Sequence, residues 1–390
     1  MKATSPSRWL GVDPLGAVLC GAAGLALAWL PLMLFKANRI LPGEPRAIFD
    51  VLPTATACAF YATVVLVAFV ALRVPNPWVR LFIALVGIAV ASITVAAAAS
   101  ALTPEGNRTV RVAPGGAYWA LVIAFGLLAG DALARLRPGP LARVACLVAM
   151  LAAVGVALGS GRFDDLSIMR EYATNAPRFA SEARQHVLLA FGSLLAAVVV
   201  ALPLGAACHR VPRLQAGVLG ALNLVQTIPS IALFGILMAP LAALATAWPA
   251  LAAIGVSGIG AAPAAAALFL YSLLPIVANT VVGLAQVPPA TVDAARGMGL
   301  TGGQVLRQVE LPLAMPTILA GIRIVLVQNV GLVTIAALIG GGGLGAFVFQ
   351  GIGQTAIDLV LLGALPTVAL AFAAAVLLDA CIELARRVPA

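Results

Sequence analysis

Asp293-Ala294-Ala295-Arg296-Gly297-Met298-Gly299, running on to Val309-Glu310-Leu311-Pro312, is the one long polar interruption in an otherwise apolar half of the chain. Just upstream, Pro288-Pro289 closes an apolar run and can open a new helix, because the N–H that proline lacks has no partner to lose in a first turn. Asp293 is expected early in that helix, where its charge favours the positive end of the helix dipole by about 0.3 kcal/mol or more. Ala294 and Ala295 leave a narrow, smooth face, and Gly297 and Gly299 are expected to stop the helix. Thr301 with Gln304 three residues on predicts a capping box for a second short helix that ends at Leu311-Pro312. The product is a helix, a glycine break and a second helix: a knob projecting from the apolar segments toward a partner.

The rest of the chain explains why such a knob is needed. Of 390 residues, 62% are hydrophobic and 9% charged, against about 25% charged in soluble domains. This composition predicts an all-α polytopic membrane protein with about ten transmembrane helices. The net charge of +9 does not indicate nucleic acid, because the arginines stand singly at segment ends and form no stripe with interleaved aromatics. Cys20, Cys58, Cys146, Cys208 and Cys381 are far apart with no CxxC pair, so they are expected to be small packing residues, with no metal site and no cofactor. Lys2 and Arg8 before an apolar run resemble a secretory signal, but no small-residue cleavage site follows, so 14–35 is read as a retained first helix.

Uncharged stretches at 14–35, 54–72, 81–102, 114–132 and 144–160 predict an N-terminal five-helix region, 1–160. The most charged stretch, 161–184, is expected to be an extracytoplasmic polar linker. Spans at 185–207, 214–242, 261–285, 315–339 and 359–381 then build a second region, 185–390. A turn or re-entrant segment is expected around Trp248-Pro249 and Gly255 to Gly260, with the knob in a loop at 286–314. Lys and Arg fall more often on the side holding both termini and the knob, which predicts that these face the cytoplasm.

The knob resembles the EAA loop of permease subunits of binding-protein-dependent ABC importers. Asp293, Ala294, Ala295, Gly299, Val309, Leu311 and Pro312 fall at the matching places, with Asp for Glu at 293 as a departure. Wider stretches, Asn223 to Leu233, Tyr271 to Gly283, Ala294 to Arg323 and Ile339 to Gly345, resemble the osmoprotectant branch of that superfamily, the permeases for glycine betaine, choline and related quaternary amines. The resemblance covers about 185–387. It implies a five-helix type I importer core in a prokaryotic inner membrane, a pair of cytoplasmic ATPase subunits, a second permease subunit that is identical or homologous, and an extracytoplasmic substrate-binding protein. It also implies that Asp293, Ala294, Ala295, Arg296, Gly297, Gly299, Leu311 and Pro312 form the ATPase-coupling loop. An importer for another small solute such as an amino acid, or an ion-coupled secondary transporter, is the alternative.

No catalytic residue is expected. The two lysines, Lys2 and Lys36, follow no glycine-rich loop, so no P-loop exists and ATP hydrolysis needs a separate subunit. Gly340, Gly342 and Gly345 match GxGxxG literally but lie after an apolar span, which points to close helix packing or a hinge. His186 and His209 stand at span ends, with interfacial placement expected. Within the spans, Gln226, Thr227, Ser230, Asn279, Thr280, Gln328 and Asn329 are candidates either for helix-to-helix hydrogen bonds or for the translocation path. Arg323 is expected to snorkel toward the cytoplasmic side. Aromatics make up only 6% of the chain, so recognition of a quaternary amine through cation–π contact is expected in the separate binding protein.

Overall fold

The structure, a computed structural model, describes residues 12–387 apart from Ile40, Glu105 and Arg108, without the side chain of Arg387. Lys2 and Arg8, which carry part of the orientation reading, lie outside the described residues. The order is α1 (Pro14–Trp29), β1 (Met33–Lys36), β2 (Glu44–Arg46), α2 (Ile48–Val51), α3 (Thr54–Arg73), α4 (Pro77–Leu102), β3 (Arg111–Pro114), α5 (Gly116–Leu136), α6 (Pro140–Gly159), α7 (Ser167–Arg210), α8 (Pro212–Thr227), α9 (Ser230–Ala247), α10 (Pro249–Ala253), α11 (Ala261–Ala285), α12 (Pro289–Gly297), α13 (Gly302–Val305), a π-helical turn (Leu306–Glu310), α14 (Leu311–Ala336), α15 (Gly345–Gly353) and α16 (Ile357–Arg387). Many helices open on proline in the first turn, where its fixed φ helps. Among the described residues, nine helices are long and apolar enough to cross a membrane, and Pro14–Trp29 is a shorter apolar helix.

The chain forms two compact units: residues up to Gly139 with Val148–Thr174, and Pro140–Leu147 with Asn175 onward. Of the three boundaries, one lies at the start of α6 and two fall inside α6 and α7. The stretch 161–184, read as a linker, is therefore corrected: a turn ends at Leu166, and from Ser167 the chain is helical through to Arg210. Charged residues at intervals do not break a helix: here Arg178 and Glu182 pair one turn apart on it, and Arg170 and Glu171 find partners off it.

In the first unit, α1, α3, α4 and α5 pack around Ala57, Phe60, Ala84, Leu121 and Leu128. Gly16 lets α1 press against α3, since a Cβ there would lie 2.1 Å from Ala71 O. The predicted first span is shorter than expected, because the chain leaves the helix at Leu30 and enters a three-stranded antiparallel sheet of order β2-β1-β3. Composition gave no sign of this sheet. Arg80 is fully buried, and its guanidinium donates to Asp13 Oδ2 at 2.9 Å and to Ala71 O at 2.8 Å. That bond holds the Asp13 carboxyl, the N-cap of α1, well below the usual carboxylate range.

The second unit has its core among α7, α9, α11, α14 and α16, centred on Leu268, Ile276, Val277, Val325 and Val330. The single span predicted over 214–242 is corrected to two helices, α8 and α9. Pro229 has no N–H and drives Ile228 into an extended conformation, φ −72°, ψ 125°, which ends α8. The turn expected near Trp248 and Gly255 to Gly260 is present, with α10 inside it and positive φ at Gly255 and Gly260. Among the cysteines, Cys208 is buried, whereas Cys58, Cys146 and Cys381 are exposed, so the packing role holds for Cys208 and not for those three.

Candidate functional site

Local rules build the knob almost completely. Leu300 N–H donates to Ala295 O (3.2 Å) and Gly299 N–H to Arg296 O (2.9 Å), the paired bonds of a Schellman C-cap on α12. The cap needs a residue with positive φ, and Gly299 supplies φ 88°. The predicted capping box is there: Thr301 Oγ1 accepts from Gln304 N–H while the Gln304 side chain accepts from Thr301 N–H at 2.8 Å. Asp293 is corrected. It lies in the second turn of α12, not the first, and pairs loosely with Arg296 at 3.9 Å, both side chains being more than half exposed. Its neighbours Ala294, Gly297 and Met298 are exposed as well, and Ala295 alone of this stretch is buried.

The second helix does not end at Leu311-Pro312. Leu311 N–H reaches back five residues to Leu306 O, a π-helical turn, and the chain continues directly into α14. A π turn carries an extra residue, so the missing N–H and the bulk of Pro312 fall in the first turn of α14. The arm is thereby welded to a long helix. Its base is apolar: Leu284, Ala314 and Ile318 are buried together, with Leu306 and Leu311 against them. A charge pair closes the same base, where Arg210 at the end of α7 donates from Nη2 to the buried Glu310 at 2.6 Å. Sequence reasoning quoted Glu310 but gave it no role; an acidic residue between Val309 and Leu311 on an otherwise apolar face was the available signal.

The path candidates are not brought together. Asn329 is fully buried, and its Nδ2 donates to Ser193 Oγ on α7 (3.1 Å) and Ser272 Oγ on α11 (3.0 Å). Gln226 Nε2 donates to Tyr271 O at 2.7 Å, beside the Ile228 carbonyl that accepts from Tyr271 Oη. Asn279 and Thr280 bond to carbonyls of their own helix, and so does the exposed Thr227. Ser230 starts α9 after the proline break and Gln328 is half-buried on α14. Arg323 pairs with the carboxylate of Asp379 on α16, and both side chains are partly exposed.

A second polar cluster was not anticipated. Glu182 Oε2 accepts from Gly343 N–H at 2.7 Å, while His186 donates from Nε2 to Val330 O (3.0 Å) and accepts at Nδ1 from Leu344 N–H (3.2 Å). His186 is thus a fully buried neutral imidazole with both ring nitrogens engaged, not an interfacial one. These bonds hold the turn at Gly340 to Gly345. Gly340, Gly342 and Gly343 have positive φ, and a Cβ on Gly345 would stand 2.0 Å from Thr334 O. Close packing, not nucleotide binding, accounts for the glycines.

A family description, binding-protein-dependent transport system inner membrane component, matches residues 192–387. The chain belongs to this family. Residues 13–169 match the N-terminal domain of the ABC transporter permease YehY. The osmoprotectant import permease protein OsmW of Salmonella typhimurium is 47% identical over 191 residues, 49% of this chain and 84% of that one. The choline transport system permease protein OpuBD of Bacillus subtilis is 37% identical over 212 residues, 54% and 87% of the two chains. Among solved structures, the inward-facing MetNI methionine ABC transporter is similar at a TM-score of 0.47 and 22% identity, covering 54% of this chain and 96% of that one. As a multi-pass member of this permease family, the chain is a transport component, and the exposed arm lies within the part that matches.

Proposed function

We propose that this chain is the membrane permease subunit of an ATP-driven importer for osmoprotectants such as glycine betaine, choline and related quaternary amines. The observation that carries the reading is the exposed α12 arm, capped at Gly299 and continuous with α14, in a chain whose relatives are named for osmoprotectant and choline transport. In this reading 185–390 is the permease core, the loop 286–314 faces the cytoplasm with both termini, and residues 1–160 form an added membrane region. The arm seats in a groove on a cytoplasmic ATPase subunit. Closure of the ATPase pair moves two arms together, one from each permease subunit, and turns the path outward to a binding protein that carries the solute. The chain itself does not hydrolyse ATP, because no lysine follows a glycine-rich loop.

Ion-coupled transport is the competing class, and it needs carboxylates in the spans that can bind and release a cation. Asp131 is paired with Arg80 and Arg135, and Asp379 with Arg323, which supports the ATP-driven reading. The test is uptake of labelled glycine betaine and choline by cells carrying the chain with its genomic neighbours. Uptake abolished by a catalytically dead ATPase subunit is expected. Uptake that survives that change but collapses with an uncoupler overturns the proposal.

A further inference from the structure

A cleft of about 390 Å³ in the second unit is not used by any of the above. It is lined by Arg143 from the first turn of α6, Arg323 from α14, and Asp379, Glu383 and Arg386 from the last turns of α16, with Ala320 and Ile382 as apolar wall. Three guanidinium groups face two carboxylates. Arg143 pairs with Glu383 and Arg323 with Asp379, which leaves Arg386 as surplus positive charge. The four paired side chains are 30–42% exposed, so these bonds contribute little, and the exposed Arg386 adds a planar fork of N–H donors at the mouth.

The depth of the cleft is set by the helices. Asp379 lies 22 residues beyond Ile357, about 33 Å along α16. Arg323 lies about 24 Å before the end of its helical run at Ile339. Both lengths are close to the hydrocarbon thickness of about 30 Å, so the charges sit at a membrane–water interface. Leu141, Ile324 and Leu384, each next or next but one to a cleft residue, are exposed and apolar. A site with a net positive mouth, planar donors suited to phosphate and an apolar surround at interfacial depth matches a lipid headgroup with its acyl chains.

We propose that this cleft binds the phosphate group of an anionic phospholipid from the membrane in which the chain resides. Inorganic phosphate has the same donor preference but gains nothing from the apolar surround or the depth.

The full-length chain, purified and reconstituted in nanodiscs of phosphatidylcholine with a minor share of phosphatidylglycerol, is released into mild detergent, and retained lipid is counted by native mass spectrometry. Wild type is expected to keep phosphatidylglycerol in preference to phosphatidylcholine. Arg386→Gln, at an exposed position, is expected to lower that retention about fivefold. Glu383→Gln is expected to raise it, by removing a negative charge from the cleft wall. Opposite movements of two neighbouring charge changes are not produced by general loss of fold. Equal retention of the two lipids, or retention unchanged in both variants, overturns the proposal. In pure phosphatidylcholine discs, stabilisation by inorganic phosphate that disappears in Arg386→Gln would assign the cleft to a soluble anion and also overturn it.

Discussion

Arg210 and Glu310, one hundred residues apart in sequence, meet at 2.6 Å where the last turn of α7 reaches the π-helical turn below the arm. Glu310 is nearly inaccessible and Arg210 is partly exposed, so the pair is a solvated cation serving a buried anion. The arm runs through α13 and this turn into α14, and the pair fixes that turn against α7.

Removing the cation strands the anion. Arg210→Gln is expected to destabilise the chain by about 1–3 kcal/mol, read as a lower Tm in detergent, and to cut uptake. Glu310→Gln costs less, because an amide oxygen still accepts. The double variant should recover part of the loss of Arg210→Gln, and simple additivity of the two would show that the pair is not coupled.

Gly299 works through its backbone, not through space, since a Cβ there meets nothing within 4 Å. Gly299→Val is expected to cost about 1–2 kcal/mol locally by forcing φ out of the left-handed region, to unwind the end of α12 and to abolish uptake while the protein still inserts. Gly299→Asn should retain most activity. Equal uptake by the valine variant and wild type would remove the cap from the mechanism.

The Asn329 node separates packing from conduction. Ser193 and Ser272 keep their own carbonyl partners at 2.6 Å when the asparagine is lost. Asn329→Leu is therefore expected to shift stability by only about 0.6 kcal/mol and to leave the KM for solute unchanged. Asn329→Asp, which buries a charge, should fail to accumulate. A large KM change in the leucine variant would place this residue on the path.

His186 and Glu182 make the turn at 340–345 rigid. His186→Ala leaves the buried Leu344 N–H without an acceptor, at a cost of about 1–3 kcal/mol. Hydrogen exchange of the peptide covering Gly340 to Gly353 should accelerate in this variant and not in a control at His209. Unchanged exchange would mean that the glycines hold the turn unaided.

Much of the arm was legible because its rules act within a few residues. Proline at Pro289 starts a helix, Thr301 and Gln304 cap one, and Gly299 ends one, each through the reach of its own N–H, C=O or φ. The placement of Asp293 failed although the helix starts where expected: counted from Pro289 it is the fifth residue and falls past the first turn. The end expected at Pro312 failed because a π turn, one residue wider, is decided by what packs beneath it. The partner of Arg323 was not legible because Asp379 lies on another helix.

That the chain is helical and membrane-spanning, where most helices begin, and which stretch forms a capped arm were all readable from the residues alone. Those properties follow from transfer of apolar side chains out of water and from dihedral limits, which a window of residues contains. That Arg210 serves Glu310, that Asn329 joins Ser193 and Ser272, and that His186 closes the glycine turn emerged from the folded arrangement. Inside apolar surroundings a polar group must bond to whatever face lies opposite, and which faces meet is fixed by the packing of all the helices at once.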